Sequence, residues 1–362
     1  MILSVLINYS FLLTKPTGTT TYALSLLPFL KKVEPTILTS QPLLNYNCYQ
    51  TPVDQTAEQG FKGHLRRLMW IQFQLPKIYK ELKSQLLFSP ISEAPLWSQC
   101  STVVMVHDFI PLRFPKRFSP LTPYNQYYVP QVLSQAQHIV CNSQSTANDI
   151  VKFCHIPSHK ITPILLAYDA KHFREIVNKS ESKSLHSYFL YIGRHDPYKN
   201  VSLLISAFAS LPSNHEYQLW LAGPSDNRYT PALKKQVQEL GLTDQVKFLD
   251  YVPYKNLPKI ISGAIALVFP SLWEGFGLPV LEAMACGTPV ITSNLSSLPE
   301  VAGDAAILID PYKVNEITDA MQAIANDLGL RSQLSELGLA RAKQFSWEKT
   351  GQATVEVLMR FM

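Results

Sequence analysis

The stretch Glu274-Gly-Phe-Gly-Leu-Pro-Val-Leu-Glu282, continuing Ala-Met-Ala-Cys-Gly-Thr-Pro-Val-Ile-Thr292, decides the fold. Ahead of it, Ala264-Ile-Ala-Leu-Val-Phe-Pro270 is a short apolar run of the kind that fills a buried strand. Pro279 suits the first position of a helix, where its missing N–H would have had no partner anyway. Gly287 ends that helix, and Pro289-Val-Ile-Thr-Ser293 opens another strand. The unit reads strand, loop, helix, strand, with the carboxylates of Glu274 and Glu282 flanking the carboxyl end of a strand. Open α/β sheets bind ligands at that edge.

The alternation extends outward. Tyr188–Gly193, Tyr217–Ala222 and Val246–Leu249 read as strands; Val201–Leu211, Pro231–Leu240 and Leu257–Ser262 read as helices. The first half repeats the pattern less cleanly. There Ile2–Asn8, Val103–Val106 and His138–Cys141 are strand-like, and Val129–Gln137 and Ser145–Phe153 helix-like. A serine-rich polar segment, 178–187, lacks periodicity and marks a linker. The expected class is α/β: two doubly wound, Rossmann-like domains facing a cleft, with a first domain over 1–178 and a second over 179–345.

A chain of 362 residues is long enough for two such cores. Its five cysteines are scattered and odd in number, with no Cys-x-x-Cys, which fits neither a disulfide framework nor a zinc site and favours a reducing compartment. Met1-Ile-Leu-Ser-Val-Leu-Ile-Asn8 has no basic n-region and reads as a first strand, not a signal peptide. No apolar run is long enough to span a membrane. A cytoplasmic protein is expected. Residues 1–178 hold 16 Lys/Arg against 9 Asp/Glu, whereas 179–362 hold 16 against 18. The basic first half suits an anionic partner, a phosphate-bearing acceptor or a lipid surface, as well as it suits ordinary solvated charge. Segment 61–88 interleaves Lys62, Arg66, Arg67, Lys77, Lys80 and Lys83 with Leu65, Leu68, Met69, Trp70, Ile71, Phe73, Leu82, Leu86 and Leu87, interrupted by Pro76. It reads either as a basic amphipathic helix resting on anionic membrane or as a helix packed on its own sheet.

The chain contains no Asp-x-Asp, which argues against clustered carboxylates holding a metal–diphosphate. No metal and no cofactor are expected. A diphosphate would be met instead by side-chain cations, and Arg194 and Lys199 in Gly193-Arg-His-Asp-Pro-Tyr-Lys-Asn200 lie in a strand–loop–helix unit suited to this. They read equally as two surface charges. Glu282 has a reason to sit in an apolar helix if it accepts hydrogen bonds from a ribose, or if it simply complements the helix dipole. Glu274 shares its loop with Gly275 and Gly277, whose amides can approach a sugar or a diphosphate. His107 closes a strand, where it either hydrogen-bonds a substrate hydroxyl, stabilises developing charge, or is structural. Gly18 follows the first strand and gives a weak phosphate-loop signal.

Together these pieces resemble family 4 of the retaining glycosyltransferases, which have the GT-B fold. The likeness is carried by Gly193-Arg194 with Lys199-Asn200, Glu274-x7-Glu282, Leu298-Pro-Glu-Val-Ala-Gly-Asp304, Phe345-Ser-Trp-Glu-Lys-Thr350, Cys141-Asn-Ser-Gln-Ser-Thr146, and His107-Asp-Phe-Ile-Pro-Leu-Arg-Phe-Pro115. His107-Asp108 followed by Pro111 looks most like the mannosyltransferase-B-like subgroup of polysaccharide and O-antigen assembly.

The resemblance implies that Arg194 and Lys199 hold the donor diphosphate, and that Glu274, with the amides of Phe276 and Gly277, holds the donor sugar. Glu282 would bind the ribose, and His107 the transferred sugar. The nucleobase would lie near Tyr251-Val252-Pro253, and Gly18, Gly193, Gly275 and Leu278 complete the donor-binding set. It also implies metal-independent, retaining transfer of a hexose, with mannose from GDP-mannose favoured and a UDP-hexose the alternative. The acceptor would be a glycan or lipid-linked saccharide, reached with peripheral contact at the cytoplasmic membrane face; no nucleic acid is expected. The C-terminal segment 346–362 would cross back to the first domain. A sugar-nucleotide epimerase and a non-catalytic sugar-nucleotide-binding protein are the rival readings. The loop Pro16-Thr-Gly-Thr-Thr-Thr21 departs from the family in lacking Gly-x-Gly, and most of 40–100 matches no family pattern.

Overall fold

The computed structural model describes residues 4–13, 18–116, 119–175 and 187–362. Two sheets, all of whose strand pairs are parallel, organise the chain. The first contains β1 (Val5–Asn8), β2 (Thr36–Thr39), β3 (Asn47–Gln50), β4 (Leu86–Ser89), β5 (Thr102–Val106), β6 (His138–Cys141) and β7 (Ile161–Pro163), in the order β3-β2-β1-β4-β5-β6-β7. The second contains β8 (Ser187–Ile192), β9 (Tyr217–Ala222), β10 (Val246–Asp250), β11 (Ala266–Phe269), β12 (Val290–Ser293) and β13 (Ile307–Ile309), in the order β10-β9-β8-β11-β12-β13. β1, β5, β11 and β12 are mostly apolar and buried along their whole length, as strands covered by helices on both faces must be.

Each sheet reverses direction once. In the second, the chain winds outward through β8, β9 and β10, then returns to the middle and winds the other way through β11, β12 and β13. The reversal leaves a crevice beyond the carboxyl ends of β8 and β11, because their following loops turn to opposite faces. In the first sheet the reversal falls between β1 and β4.

Several elements differ from the sequence reading. β3 and β4 lie in the region 40–100 that matched no family pattern, and β2 just before it was not read as a strand. β3 (Asn-Cys-Tyr-Gln) is a polar, half-exposed edge strand, so neither alternation nor an apolar run betrays it. Leu86 and Leu87, grouped above with a basic amphipathic helix, are buried in β4. The rest of that segment is two helices, Gly60–Phe73 and Leu75–Glu81, with Pro76 in the first turn of the second. The linker expected at 178–187 falls on residues 176–186, outside those described, except for Ser187, which begins β8. Among the described residues no helix is long and apolar enough to cross a membrane.

By contacts, Met1–Leu166 joins with Trp347–Met362 in one compact unit, and Ala167–Ser346 forms the other. The C-terminal helix Trp347–Met359 lies against the helix Gly18–Leu30 of the first unit. Thr350 Oγ1 donates to Leu165 O at 2.7 Å, and the Tyr22 and Trp347 rings meet at 6.2 Å. Gly351 allows the approach: a Cβ there would sit 2.3 Å from Phe29 Cγ and 2.5 Å from its Cβ, the fixed end of that side chain. Gly351→Ala is therefore expected to destabilise the first unit by about 1–3 kcal/mol through overpacking, read as a lowered urea midpoint with an unchanged m-value.

Candidate active site

Glycine and tyrosine shape the loop that leaves β8. Tyr191, fully buried at the end of the strand, donates its hydroxyl to Arg194 O at 2.7 Å. A Cβ on Gly193 would lie 2.6 Å from that hydroxyl, and one on Gly223 would lie 1.8 Å from Gly193 O. The loops after β8 and β9 thus touch backbone to backbone. A single helical turn, Pro197–Lys199, follows. Asn200, in the left-handed region at φ 62°, then ties the turn to the neighbouring strand ends, its Nδ2 donating to Pro270 O at 3.2 Å and to Pro311 O at 2.6 Å.

The loop after β11 is stitched to this turn. Leu272 N donates to Tyr198 O at 2.8 Å, and Lys199 Nζ donates to Glu274 Oε1 at 2.6 Å. Both side chains of this ion pair are about nine-tenths buried (13% and 10% exposed). Burial works to lower the Lys199 pKa, but the Glu274 carboxylate outweighs it and holds the ammonium above its ordinary value. The sequence reading treated Lys199 and Glu274 as separate grips on a ligand; the structure brings them together as one contact.

From below, the Glu274 loop is fixed by two serines that the sequence reading missed. Glu274 N donates to Ser296 Oγ at 3.1 Å. The fully buried Ser297 Oγ lies within donating distance of both Glu274 O (3.0 Å) and Phe276 O (2.7 Å). Their signal, a Ser-Ser pair just before Leu298-Pro, is too common to single out alone. Gly277 takes φ 116° immediately before the helix Leu278–Ala285, and a Cβ there would come within 2.7 Å of Leu298 Cδ2. Gly275 and Phe276 complete the loop, Phe276 packing edge-on against Phe345.

Arg194 is largely exposed and pairs with the buried Asp196, Nη2 to Oδ2 at 2.7 Å. Partial burial works against its charge, and Tyr198 and Asp196 together reverse that effect. Asp196, another residue not singled out from sequence, thus orients one of the two cations. Glu282 lies on the helix Leu278–Ala285, partly buried, where desolvation pushes its carboxyl up from 4.5 to about 7. The nearby Tyr254 ring stacks on His172 at 4.0 Å. Val252, partly exposed, stands in the loop after β10 between the exposed Tyr251 and the turn Tyr254–Asn256.

Two expected residues lie in the first unit and are not part of this cluster. His107 follows β5, and its Nε2 lies 2.9 Å from Pro90 O. A carbonyl can only accept, so Nε2 carries the proton and Nδ1 keeps the lone pair. Burial pushes the ring down to about 4, so it is neutral at physiological pH. Of the two functional roles considered above, the one open to Nδ1 is accepting a hydrogen bond from a hydroxyl; stabilising negative charge would need a proton there. Gly18 opens the helix Gly18–Leu30, and a Cβ on it would meet nothing within 4 Å, so packing does not require glycine there.

At the switch point of the second sheet stand two cations, two carboxylates and a glycine-opened helix start, a set suited to an anionic, hydroxyl-bearing ligand. Together with the first parallel sheet and the returning C-terminal helix, this defines a GT-B glycosyltransferase fold. Residues 16–171 match the model for Glycosyltransferase Family 4, and residues 172–341 match that for Glycosyl transferases group 1. The two matches abut, and the chain belongs to this family of glycosyltransferases.

O-antigen chain mannosyltransferase B of Escherichia coli is 34% identical over 245 residues, covering 64% of this chain and 63% of that protein. Serotype-specific mannosyltransferase WbdA of Escherichia coli is 28% identical over 275 residues, covering 72% of this chain and 34% of that protein. The match thus spans less than two thirds of the length of either curated relative. Among solved structures, HepE of Anabaena, crystallised with UDP and glucose, superposes with a TM-score of 0.78 at 18% identity, covering 99% of this chain and 100% of that one. Sucrose-phosphate synthase of Thermosynechococcus elongatus superposes with a TM-score of 0.77 at 19% identity, covering 99% and 98%. At those identities the superpositions establish the fold alone.

Two predictions follow from this geometry. Ser297→Ala removes the donor that serves Glu274 O and Phe276 O, and a buried carbonyl left unpaired costs about 1–3 kcal/mol; nucleotide affinity, read by calorimetry, is expected to weaken with little change in the far-ultraviolet circular dichroism. Glu282 binds its proton more tightly in the folded protein than in the unfolded chain. Its contribution to stability is therefore full below about 4.5 and lost as pH rises through about 7. If Glu282 accepts hydrogen bonds from a ribose, that contact has the opposite preference: affinity for GDP or UDP is then expected to rise with pH through about 7, and Glu282→Gln to flatten that rise.

Proposed function

We propose that the chain is a retaining glycosyltransferase that moves a hexose from a nucleotide-diphosphate sugar to a glycan or lipid-linked saccharide, working peripherally at an anionic membrane face. The observation that carries this reading is the Lys199–Glu274 pair at the switch point, with Arg194 beside it and Glu282 on the next helix. In this reading Lys199 and Arg194 take the diphosphate, and Glu274 turns its remaining hydrogen-bonding capacity to the sugar hydroxyls. Glu282, as carboxylate, takes the ribose. Val252 and its neighbours would bound the base, and Gly275, Phe276, Gly277 and Leu278 the sugar.

The chemistry follows from charge. Departure of the nucleoside diphosphate builds negative charge on phosphate oxygens, and fixed cations in a poorly hydrated site stabilise that charge more than the ground state. We assign the neutralisation to side chains and not to a divalent metal. Deprotonation of the acceptor is assigned to the departing diphosphate, so no protein nucleophile is invoked. His107 contributes by accepting a hydrogen bond at Nδ1 from a sugar hydroxyl.

Mannose from GDP-mannose is the favoured donor, because the matched relatives named above are mannosyltransferases. A UDP-hexose is the second reading, favoured by HepE, whose structures hold UDP and UDP-glucose. A non-catalytic binding protein would not require Lys199, Arg194, Glu274 and Glu282 together.

A donor screen decides among these. GDP-mannose is expected to raise the melting temperature and to be turned over in the presence of acceptor, unaffected by EDTA. Lys199→Ala and Glu274→Ala are expected to lower kcat/KM by more than about tenfold each, since each removes a contact made in the transition state. Loss of activity in EDTA restored by Mn²⁺ would overturn metal-free transfer, and turnover within about threefold of wild type in both variants would overturn the assigned roles.

A further inference from the structure

The helix Gly60–Phe73 buries Ile71 in the apolar core but turns a charge inward beside it and an apolar row outward. Its buried side carries a charge: Arg67, 7% exposed, donates from Nε and Nη2 to the two oxygens of Glu93 at 2.8 Å each and from Nη1 to Gln55 O at 3.2 Å. His64 Nδ1 closes the cluster, 2.9 Å from Arg67 Nη2. Its solvent side carries Phe61, Leu65, Met69 and Phe73, exposed by 60%, 48%, 53% and 59%. Residues four apart stand one above another on a helix, so these four form a continuous apolar row. A turn of the helix would bury the row, but it would also tear a buried guanidinium from its carboxylate and pull Ile71 out of the core. The ion pair and Ile71 hold the apolar row outward.

Cations border the row. Lys62 and Arg66 lie on the exposed side of the helix, Arg66 paired with Asp54 Oδ2 at 2.7 Å, and Lys77, Lys80 and Lys83 continue along the next, with Glu81 the one carboxylate between residues 60 and 83. Lys80 and Lys83 line an open groove of about 560 Å³ together with Gln72, Leu96 and Trp97. Trp97 is 82% exposed, held at φ 49° with its amide on Gln135 Oε1 at 2.6 Å.

We propose that this face of the first unit, the row Phe61–Leu65–Met69–Phe73 with the lysines beside it and Trp97, is the surface by which the protein binds an anionic lipid bilayer. The inference rests on the peripheral reading above and names the surface responsible. Apolar side chains enter the headgroup–acyl boundary, lysines meet lipid phosphates near the surface, and an indole sits at the interface. The positive charge beside the row complements the headgroups of an anionic leaflet.

The test is sedimentation of the full chain with large vesicles of phosphatidylglycerol and phosphatidylcholine, or of phosphatidylcholine alone, without donor or acceptor. Wild type is expected to sediment with the anionic vesicles, less so in 0.5 M salt, and weakly with neutral ones. The variant F61S/L65S/M69S/F73S is expected to lose at least tenfold in vesicle affinity while keeping wild-type melting and nucleotide affinity. K77E/K80E/K83E, which leaves the row intact, is expected to lose selectivity for anionic lipid. Failure of wild type to bind anionic vesicles at low salt would overturn the proposal. So would a wild-type dimer by light scattering that the serine variant converts to monomer, which would assign the row to a second copy of the chain. Nucleotide affinity is read separately, so loss of donor binding with intact vesicle binding would sink the proposed transfer reaction and leave this surface standing.

Discussion

The buried contact between Lys199 and Glu274 is the constraint on which the second unit's site depends. It joins the loops after β8 and β11, the two strands whose connections diverge at the reversal of the sheet. Such a pair adds little stability of its own, because desolvating both charges offsets their attraction. Its value is positional. Leu272 N on Tyr198 O, Asn200 on the Pro270 and Pro311 carbonyls, and Ser297 on two carbonyls of the partner loop all hold the charges where they meet. Preorganised charge of this kind stabilises a developing anion without reorganisation at the moment of reaction.

The carboxylates of the opening stretch are unlike in state as well as position. Glu274 has a buried cation as its partner; Glu282 has none within the cluster, and desolvation raises its pKa into the neutral range. A glycoside-cleaving pair would face one bond from opposite sides. Here one residue tops a loop and the other lies on the following helix, an arrangement that grips two parts of an extended ligand.

Sequence disclosed the second unit well because its signals are local. Helices Leu257–Ser262 and Leu278–Ala285 run between the residues that periodicity and Pro279 indicate, and the strands beside them are uninterrupted apolar runs. The bond between Lys199 and Glu274 joins residues 75 positions apart, and no spacing rule reveals it. Ser296, Ser297 and Asp196 were hidden for the same reason: their importance lies in what the fold brings beside them. In the first unit, β3 is polar and β4 adjoins a basic helix, so pattern alone merged or missed them. The helix Gly60–Phe73 shows the limit most sharply. An apolar row reads as core, yet the row faces water and Arg67 faces the interior beside Ile71, because the distant Glu93 makes burial of that guanidinium favourable.

The return of Trp347–Met359 to the first unit has a consequence for how the chain is made. The first unit is built from two stretches of chain separated by the whole of the second, which is in effect an insertion within it. During synthesis Ala167–Ser346 can complete its own sheet from contiguous sequence. The side of Gly18–Leu30 that meets Trp347 and Gly351 waits for its cover until Trp347–Met359 has emerged. Domains ordinarily fold in the order of their synthesis. In this protein the unit begun earlier is completed after the later one, so that apolar side stays open to wrong partners for the whole time the ribosome takes to make Ala167–Ser346.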